Sequence, residues 1–376
     1  MRFIDTFEKH RRESDKSLET YIKECRLKLG EAVVQRHKIY LDTKYWIMLR
    51  DYRLGRMVNA AIPKLSSILE DGITSNKLIC PISADIFLEI TKQSDPTTLK
   101  CSVELIDTLS EGISILAPEE RAKMELLYFI RTNSSSESSC HSQDIFVWTK
   151  LAYVLGTMVL YSTPFTPEEE LVIQKSFFDQ MWSISLNDMI ETMGINTVRE
   201  IPKIPDISDK LNAGKFEHLS ENSSFEGVFL SEVAGILDTY MDEFSEMFVY
   251  LYKKMTGTAP AEGEVSLSDG PQKFANLIYH GFRLKRFSTE FPSIRIPAMI
   301  HAAIRWDRNR KYKPTDFHDF RHAETALPYF DAFLTENSLC HLLMRHDLGL
   351  GRLYNCMVIS DLEIAVEKVN ELVSQP

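Results

Sequence analysis

The sequence predicts an α/β fold in which helices cover one parallel sheet. Short apolar runs that fit buried strands alternate with stretches of helical spacing. Alternation of this kind is typical of parallel sheets, because each crossover between parallel strands needs a long connection. The runs lie near residues 38–42, 78–81, 113–116, 331–335 and 355–359. We predict that all five form one parallel sheet.

A break in this pattern divides the chain into four segments. We expect an N-terminal helical segment over residues 1–37, and the α/β domain in two parts over residues 38–116 and 291–376. Residues 117–290 then form a large helical insertion, because almost only helical spacing is found there. Its predicted helices cover residues 118–131, 144–161, 167–193 and 227–255.

Composition narrows the class of protein. The 376 residues are 44% hydrophobic and carry a net charge of −11, which argues against a general DNA-coating protein but not against a nuclease with an acidic site. The six cysteines form no C-x-x-C pair, so we interpret them as reduced thiols of a cytoplasmic protein. No apolar run reaches the ~20 residues of a membrane helix.

One acidic stretch carries the main functional signal. Pro314 and Thr315 mark a helix start, and Pro328 is expected to end that helix. Asp316 and Asp319 share one face of this helix, with His322 one turn further along it. Carboxylates side by side repel unless a cation lies between them, so this spacing indicates a metal site.

Two further acids follow the first two predicted strands. Asp42 stands at the end of the first strand, where open α/β sheets place ligands, although it is also a candidate cap for the next helix. Glu89 lies on the helix after the second strand, facing either a cleft or solvent.

Four motifs give the chain a resemblance to the PIN-domain ribonucleases. They occur in order over residues 38–116 and 314–373, outside the N-terminal helix and the insertion. The motifs are Tyr40-Leu41-Asp42-Thr43 with Trp46 behind it, Pro81-Ile82-Ser83 followed by Glu89, Asp316-Phe317-His318-Asp319 with Thr325-Ala326, and Leu334-Thr335-Glu336-Asn337.

The resemblance implies a PIN-like three-layer fold with a five-stranded parallel sheet between helices. It also implies that acids at the carboxyl ends of the strands bind Mg²⁺ or Mn²⁺, with Asp42, Glu89 and Asp319 at the motif positions. The fourth motif departs from the family pattern, because Asn337 stands where an Asp is usual. Glu336 or Asp316 would supply the missing charge. Asp331 is excluded as a ligand, because it starts its strand ~13 Å from the active end.

The function that the resemblance implies is metal-dependent cleavage of single-stranded RNA. We expect catalytic roles for Asp42, Glu89, Asp316 and Asp319, with metal ligands drawn from Asp42, Glu89, Asp319, Glu336 and Asn337. Near this cluster, Lys92, Arg321 and His322 either contact the substrate or pair with the acids. A basic block at residues 280–313, with Trp306 and Tyr312 among its cations, is either an RNA surface or a solvated face. Its residues closest to the acidic stretch are Arg308, Arg310 and Lys311.

Three alternatives remain open. A catalytically degenerate PIN-like module would bind RNA, or would bind a protein or a second copy through the insertion. A zinc hydrolase would use His318 and His322, spaced as in H-E-x-x-H but with Asp319 in place of Glu and no third ligand evident. The spacing of Arg295 and His301 resembles that of the metal-free HEPN ribonucleases, but Pro297 is expected to interrupt the helix it needs.

Overall fold

The computed structural model describes residues 3–56, 59–134, 142–194, 197, 200, 205–217, 224–258, 260–261 and 269–374. The N-terminal segment holds two helices rather than one. Ser17 begins the second by accepting a hydrogen bond from the backbone N–H of Thr20 at 3.2 Å. The helices are α1 (Phe7–Arg12) and α2 (Leu18–Val33).

The first part of the α/β domain alternates short strands with helices. Its elements are β1 (His37–Leu41), α3 (Thr43–Arg53), α4 (Ala61–Thr74), β2 (Leu78–Ile79), α5 (Ala84–Ile90), α6 (Pro96–Ser110) and β3 (Ile113–Ile115).

The insertion is mostly helical. It contains α7 (Pro118–Ser134), two 3-10 turns (Gln143–Ile145 and Leu151–Tyr153) that flank β4 (Trp148–Lys150), α8 (Pro167–Ser183), α9 (Leu186–Met193), α10 (Ser208–Glu217), α11 (Phe225–Thr239), α12 (Met241–Thr256) and α13 (Gly270–Arg283).

The last part returns to α/β alternation. Its elements are α14 (Pro292–Trp306), α15 (Asp316–Tyr329), β5 (Ala332–Leu334), α16 (Asn337–Met344), α17 (Leu350–Leu353), β6 (Met357–Ile359) and α18 (Leu362–Ser374).

The prediction of a parallel α/β sheet is confirmed, but the prediction of five strands in it is wrong. Four parallel strands pair in the order β2-β1-β5-β6. The third predicted strand, β3, pairs antiparallel with β4 and touches the second only through a single parallel bridge between Ile82 and Ser114. Pro81 lies between β2 and this bridge and has no N–H to donate, so the ladder cannot continue there.

The predicted helix at residues 144–161 is also wrong. The apolar residues Val147, Trp148 and Leu151 are buried beside β3 rather than along one helix face. Aromatic and β-branched residues favour strands over helices. The open edge of β3 supplies hydrogen-bond partners for this segment, so it forms the strand β4.

Two prolines do not end their helices as expected. α14 runs through Pro297, and α15 runs through Pro328 to Tyr329. Pro328 lies in the last turn of α15. Its missing N–H therefore removes one hydrogen bond at the end of the helix and does not disrupt the interior.

Two hydrophobic cores organise the molecule, and α14 belongs to both. Ile296, Ile300 and Ile304 pack into the core around the parallel sheet. Ala298 and Ala302, on another face of the same helix, pack into a second core formed with α7, α11, α12 and α13. The region around β4 and α9 packs into the sheet core, so residues 117–290 contribute to both cores.

Five cysteines are free thiols, and Cys140 lies outside the described residues. Within the described ranges, no helix combines the length and the apolar character that crossing a membrane requires.

Candidate metal centre

Asp42 is held rigidly at the carboxyl end of β1. Its side chain is buried, and one oxygen caps α3 by accepting a hydrogen bond from the backbone N–H of Lys44 at 3.1 Å. The other oxygen accepts a hydrogen bond from the hydroxyl of Thr335 at 2.8 Å. Asp42 is therefore both a helix cap and a carboxylate at the edge of the sheet.

The end of β5 lies directly beside the end of β1. The backbone N–H of Asp42 donates to the carbonyl of Leu334 at 3.0 Å, and that of Thr335 donates to the carbonyl of Ile359 at 2.9 Å. Glu336 and Asn337 follow at the start of α16, and both are exposed. Parallel pairing thus places the first and fourth motifs at one edge.

Asp319 lies in the first turn of α15, near enough to Asp42 and Glu336 for their charges to act on it. None of the described residues donates a hydrogen bond to its carboxylate. Burial and the charge of Asp42, with smaller contributions from Glu336 and Asp316, raise the pKa of Asp319 to about 7, although His322 opposes this. Asp319 is therefore an unpartnered acid close to other negative charge.

Glu89 is engaged by the histidines of α15. Its Oε1 lies 3.0 Å from Nδ1 of His318 and its Oε2 lies 3.6 Å from Nε2 of His322, while the hydroxyl of Thr43 donates to it. Burial opposes ionisation, yet these contacts outweigh it and hold the pKa of Glu89 well below its usual value. Glu89 is thus an ionised partner of His322.

His322 is buried beneath the acidic edge. Its Nδ1 lies 2.8 Å from the hydroxyl of Tyr40, which lies 2.8 Å from the hydroxyl of Ser83. Burial lowers the pKa of His322, but the interaction with Glu89 and the charge of Asp42 outweigh it and raise the pKa to about 9. A protonated ring donates through both nitrogens, which matches partners at Tyr40 and Glu89.

Asp316 is buried but committed to other partners. Its Oδ1 accepts a hydrogen bond from Arg310 at 2.7 Å, and its Oδ2 accepts one from the backbone N–H of Lys313 at 2.8 Å. The structure therefore places Asp316 as an anchor for the basic loop before α15, with each oxygen already bonded.

The predicted substrate-binding cations are distributed over the surface around the site. Arg321 pairs with the buried carboxylate of Asp85 at 2.5 Å. Lys92 is exposed just beyond α5. Arg308 and Lys311 are exposed on the loop that Arg310 ties to Asp316.

Three residues of the site were given no role from the sequence, although Thr43 and Thr335 stand within the first and fourth motifs. Thr335 and Thr43 orient Asp42 and Glu89, and Asp85 neutralises Arg321. A Thr directly after a strand and next to an acid is the one signal that points to Thr335. Asp331, excluded as a ligand, lies at the opposite end of β5 and accepts a hydrogen bond from the backbone N–H of Lys38 at 2.7 Å.

The carboxylates of Asp42 and Asp319 are of the type that binds a hard cation, although the described side chains of the site do not form a group that could hold one without moving. Among the described residues, no three His, Cys, Asp or Glu side chains lie close enough to hold a metal ion as they stand. Asp42 and Asp319 nevertheless bring oxygen ligands to one edge, and Asp319 has no donor to neutralise it. Carboxylate oxygens of this kind are what Mg²⁺ and Mn²⁺ prefer.

The contacts of the histidines provide little support for the zinc hydrolase or for the HEPN-like pair. Glu89 contacts both His318 and His322, but protonation of His322 favours an ion pair over zinc, which needs a neutral imidazole. Arg295 and His301 point to different neighbours: the guanidinium carbon of Arg295 lies 5.1 Å from the ring centre of Phe282, and Nδ1 of His301 lies 3.1 Å from the hydroxyl of Tyr312. No contact among the described residues joins Arg295 to His301.

Comparisons with known proteins add no family to this geometry. A scan against protein-family models, a search of curated proteins and a search of solved structures each gave no match.

Proposed function

We propose that this chain is a metal-dependent endoribonuclease that cleaves single-stranded RNA at the edge formed by β1, β5 and α15. The observation that carries the proposal is the unpartnered carboxylate of Asp319 near Asp42. Burial and the charge of Asp42 together raise the pKa of Asp319 to about 7. Two such carboxylates at the carboxyl edge of a parallel sheet are typical of a cation site. The resemblance to PIN-domain ribonucleases supports the same interpretation.

Asp42 and Asp319 would hold Mg²⁺ or Mn²⁺, and Glu336 is the nearby acid that completes the charge. When bound, such a cation activates water and neutralises charge on a phosphate. Thr335 and the backbone N–H of Lys44 fix the orientation of Asp42. His318 and His322 together keep Glu89 ionised and in place.

Cleavage of a labelled, unpaired RNA by the purified chain tests the proposal. We expect cleavage with Mn²⁺ or Mg²⁺, none with EDTA, and a loss of at least ~100-fold in Asp42→Asn and Asp319→Asn, the scale of losing a group that stabilises transition-state charge. Each change keeps side-chain size and removes charge. Glu371→Gln is the matched control, because Glu371 is an exposed acid on α18 that pairs with Lys368 at 2.8 Å.

Cation-independent cleavage, or full activity in Asp319→Asn, would contradict the proposal. If the chain binds RNA tightly but leaves it intact with either cation, the degenerate binding module replaces the nuclease. Restoration of cleavage by Asn337→Asp would then identify the fourth motif as the missing part. Bound zinc that is lost in His318→Ala and His322→Ala would instead support the hydrolase.

A further inference from the structure

The loop between α14 and α15 is held by two polar side chains of α10. Lys215 of α10 is buried, and its ammonium donates hydrogen bonds to the carbonyls of Asp307 and Arg310. Asn212, one turn earlier, donates to the carbonyl of Tyr312 at 3.0 Å and accepts from its backbone N–H at 2.8 Å. These hydrogen bonds supply partners for three carbonyls and one N–H of the loop backbone, which tie the loop to α10.

This anchoring leaves cations and aromatic rings on the outer surface. Arg308 and Lys311 are exposed, and the ammonium of Lys311 lies 6.0 Å from the ring centre of Phe216. Phe216 directly follows the anchoring Lys215 and is 54% exposed. Trp306 directly precedes the loop, is 42% exposed, and contacts Phe225 by an edge at 6.4 Å between ring centres. Two large rings thus border one basic loop.

The local composition contrasts with that of the whole chain. The net charge of the chain is −11, yet this loop presents Arg308, Lys311 and Lys313 to solvent. Exposed rings beside cations combine a surface for stacking with a surface for phosphates, which is what unpaired nucleotides require.

We propose that Trp306, Phe216, Arg308 and Lys311 form a stacking platform that binds unpaired nucleotides of RNA. The proposal rests on the proposed function and adds the place where the substrate strand docks. The platform is joined to the candidate metal centre through Asp316, which pairs with Arg310 at 2.7 Å and begins α15. Asp319 follows three residues later, ~4.5 Å further along the helix axis.

RNA binding in the absence of catalysis tests the platform. The full chain carrying Asp319→Asn, in EDTA, is titrated with a labelled 12-nucleotide oligouridylate, and binding is followed by anisotropy and by tryptophan fluorescence. We expect quenching, because Trp306 is exposed whereas Trp46 and Trp148 are buried and Trp182 is partly buried. The quenching should be lost in Trp306→Phe. Trp306→Ala and Phe216→Ala should each weaken binding by about tenfold, the scale of one lost base stack. Lys311→Gln should reduce the slope of log affinity against log salt by about 0.7.

Matched changes elsewhere separate the platform from general effects. Tyr161→Ala removes an aromatic ring that is 74% exposed, and Lys273→Gln removes an exposed cation of α13. Both should bind RNA like the parent. An abasic strand with the same number of phosphates should bind the parent weakly and should not distinguish it from Trp306→Ala. Trp306→Phe should retain binding, because it keeps an aromatic ring on which a base can stack.

Equal affinity of the parent, Trp306→Ala and Phe216→Ala for oligouridylate would overturn the platform, as would equal losses in Tyr161→Ala. These outcomes are independent of cleavage. RNA binding that depends on the platform in a chain that never cleaves would overturn the nuclease alone, and cation-dependent cleavage with no effect of the aromatic variants on binding would overturn the platform alone.

Discussion

Asp319 differs from Asp42 and Asp316 in having no hydrogen-bond donor among the described residues. Asp42 accepts hydrogen bonds from Lys44 and Thr335, and Asp316 accepts them from Arg310 and Lys313. A partly buried carboxylate beside another negative charge destabilises the folded chain once it ionises. A bound cation would remove that cost.

Replacement of Asp319 should therefore stabilise the cation-free protein at high pH. Its folded pKa of about 7 lies above the ordinary value, so the stability associated with the protonated form is lost as pH rises through 7. At pH 8 in EDTA, Asp319→Asn should unfold in urea with a free energy ~1 kcal/mol above wild type, after allowance for solvent screening. The difference should shrink towards pH 4.

Addition of Mn²⁺ provides the complementary measurement. It should raise the melting temperature of the wild type, because a ligand that binds only the folded state stabilises it, and leave that of Asp319→Asn nearly unchanged. A variant that is less stable than wild type at pH 8, or that gains as much from Mn²⁺, would contradict this account of Asp319.

The pair of His322 and Glu89 has the opposite dependence on pH. The pKa of His322 is raised to about 9, so the stability from its protonated form is present at pH 6 and is lost as pH rises through 9. At pH 6, His322→Gln should lower the free energy of unfolding by ~2 kcal/mol, between the values for exposed and for buried ion pairs, because it leaves the partly buried Glu89 without this partner. The deficit should fall above pH 9.

The exposed His346 supplies the control for that measurement. His346→Gln should leave urea unfolding unchanged at both pH values. A deficit in His322→Gln that is the same at pH 6 and pH 10 would mean that packing, not charge, accounts for the loss.

At the scale of elements, α2 is part of the folded body rather than a lead-in to it. A methyl group built on the buried Gly30 of α2 would lie 1.9 Å from the carbonyl oxygen of Ile145, in the first 3-10 turn of the insertion. That distance is far shorter than a van der Waals contact, and the obstacle is backbone. The N-terminal segment and the insertion thus meet where only glycine fits.

Gly30→Ala should accordingly destabilise the protein by ~2 kcal/mol in urea unfolding, the usual scale of overpacking a tight contact. Gly235→Ala in α11 is the matched control, since its new methyl group meets no atom within 4 Å. That change should raise stability by up to ~1 kcal/mol through helix propensity. If both substitutions stabilise equally, α2 does not pack against the turn as described.

The whole molecule is held together by α14. Ile300 belongs to the core around the sheet, and Ala302 belongs to the core of the helical region. Because α14 contributes side chains to both cores, detaching this helix from one core would also expose apolar residues of the other. We expect one calorimetric unfolding transition, with calorimetric and van't Hoff enthalpies that agree. Two resolved transitions would show that the cores unfold independently.

Much of the sheet could be predicted from the sequence, because its strands are short apolar runs with local turn signals. The partner of β3 could not be predicted. Trp148–Lys150 forms a strand because it pairs with the edge of β3, and that edge exists only in the folded chain. The same limit applies to the site. The position of Asp42 after β1 is local information, whereas the pairing of Asp316 with Arg310 and of Arg321 with Asp85 depends on the path of loops through space.

The hydrogen bond between Asp42 and Thr335 joins residues that are 293 positions apart. On the ribosome, which adds ~5–20 residues per second, the two residues are therefore synthesised at least ~15 s apart. During that interval β1 has no β5 to pair with, and its open edge is a surface for a chaperone or for misassembly. An incomplete chain ending before residue 335 lacks the arrangement of Asp42 described above. The topology thus delays any chemistry at this edge until synthesis has passed the insertion.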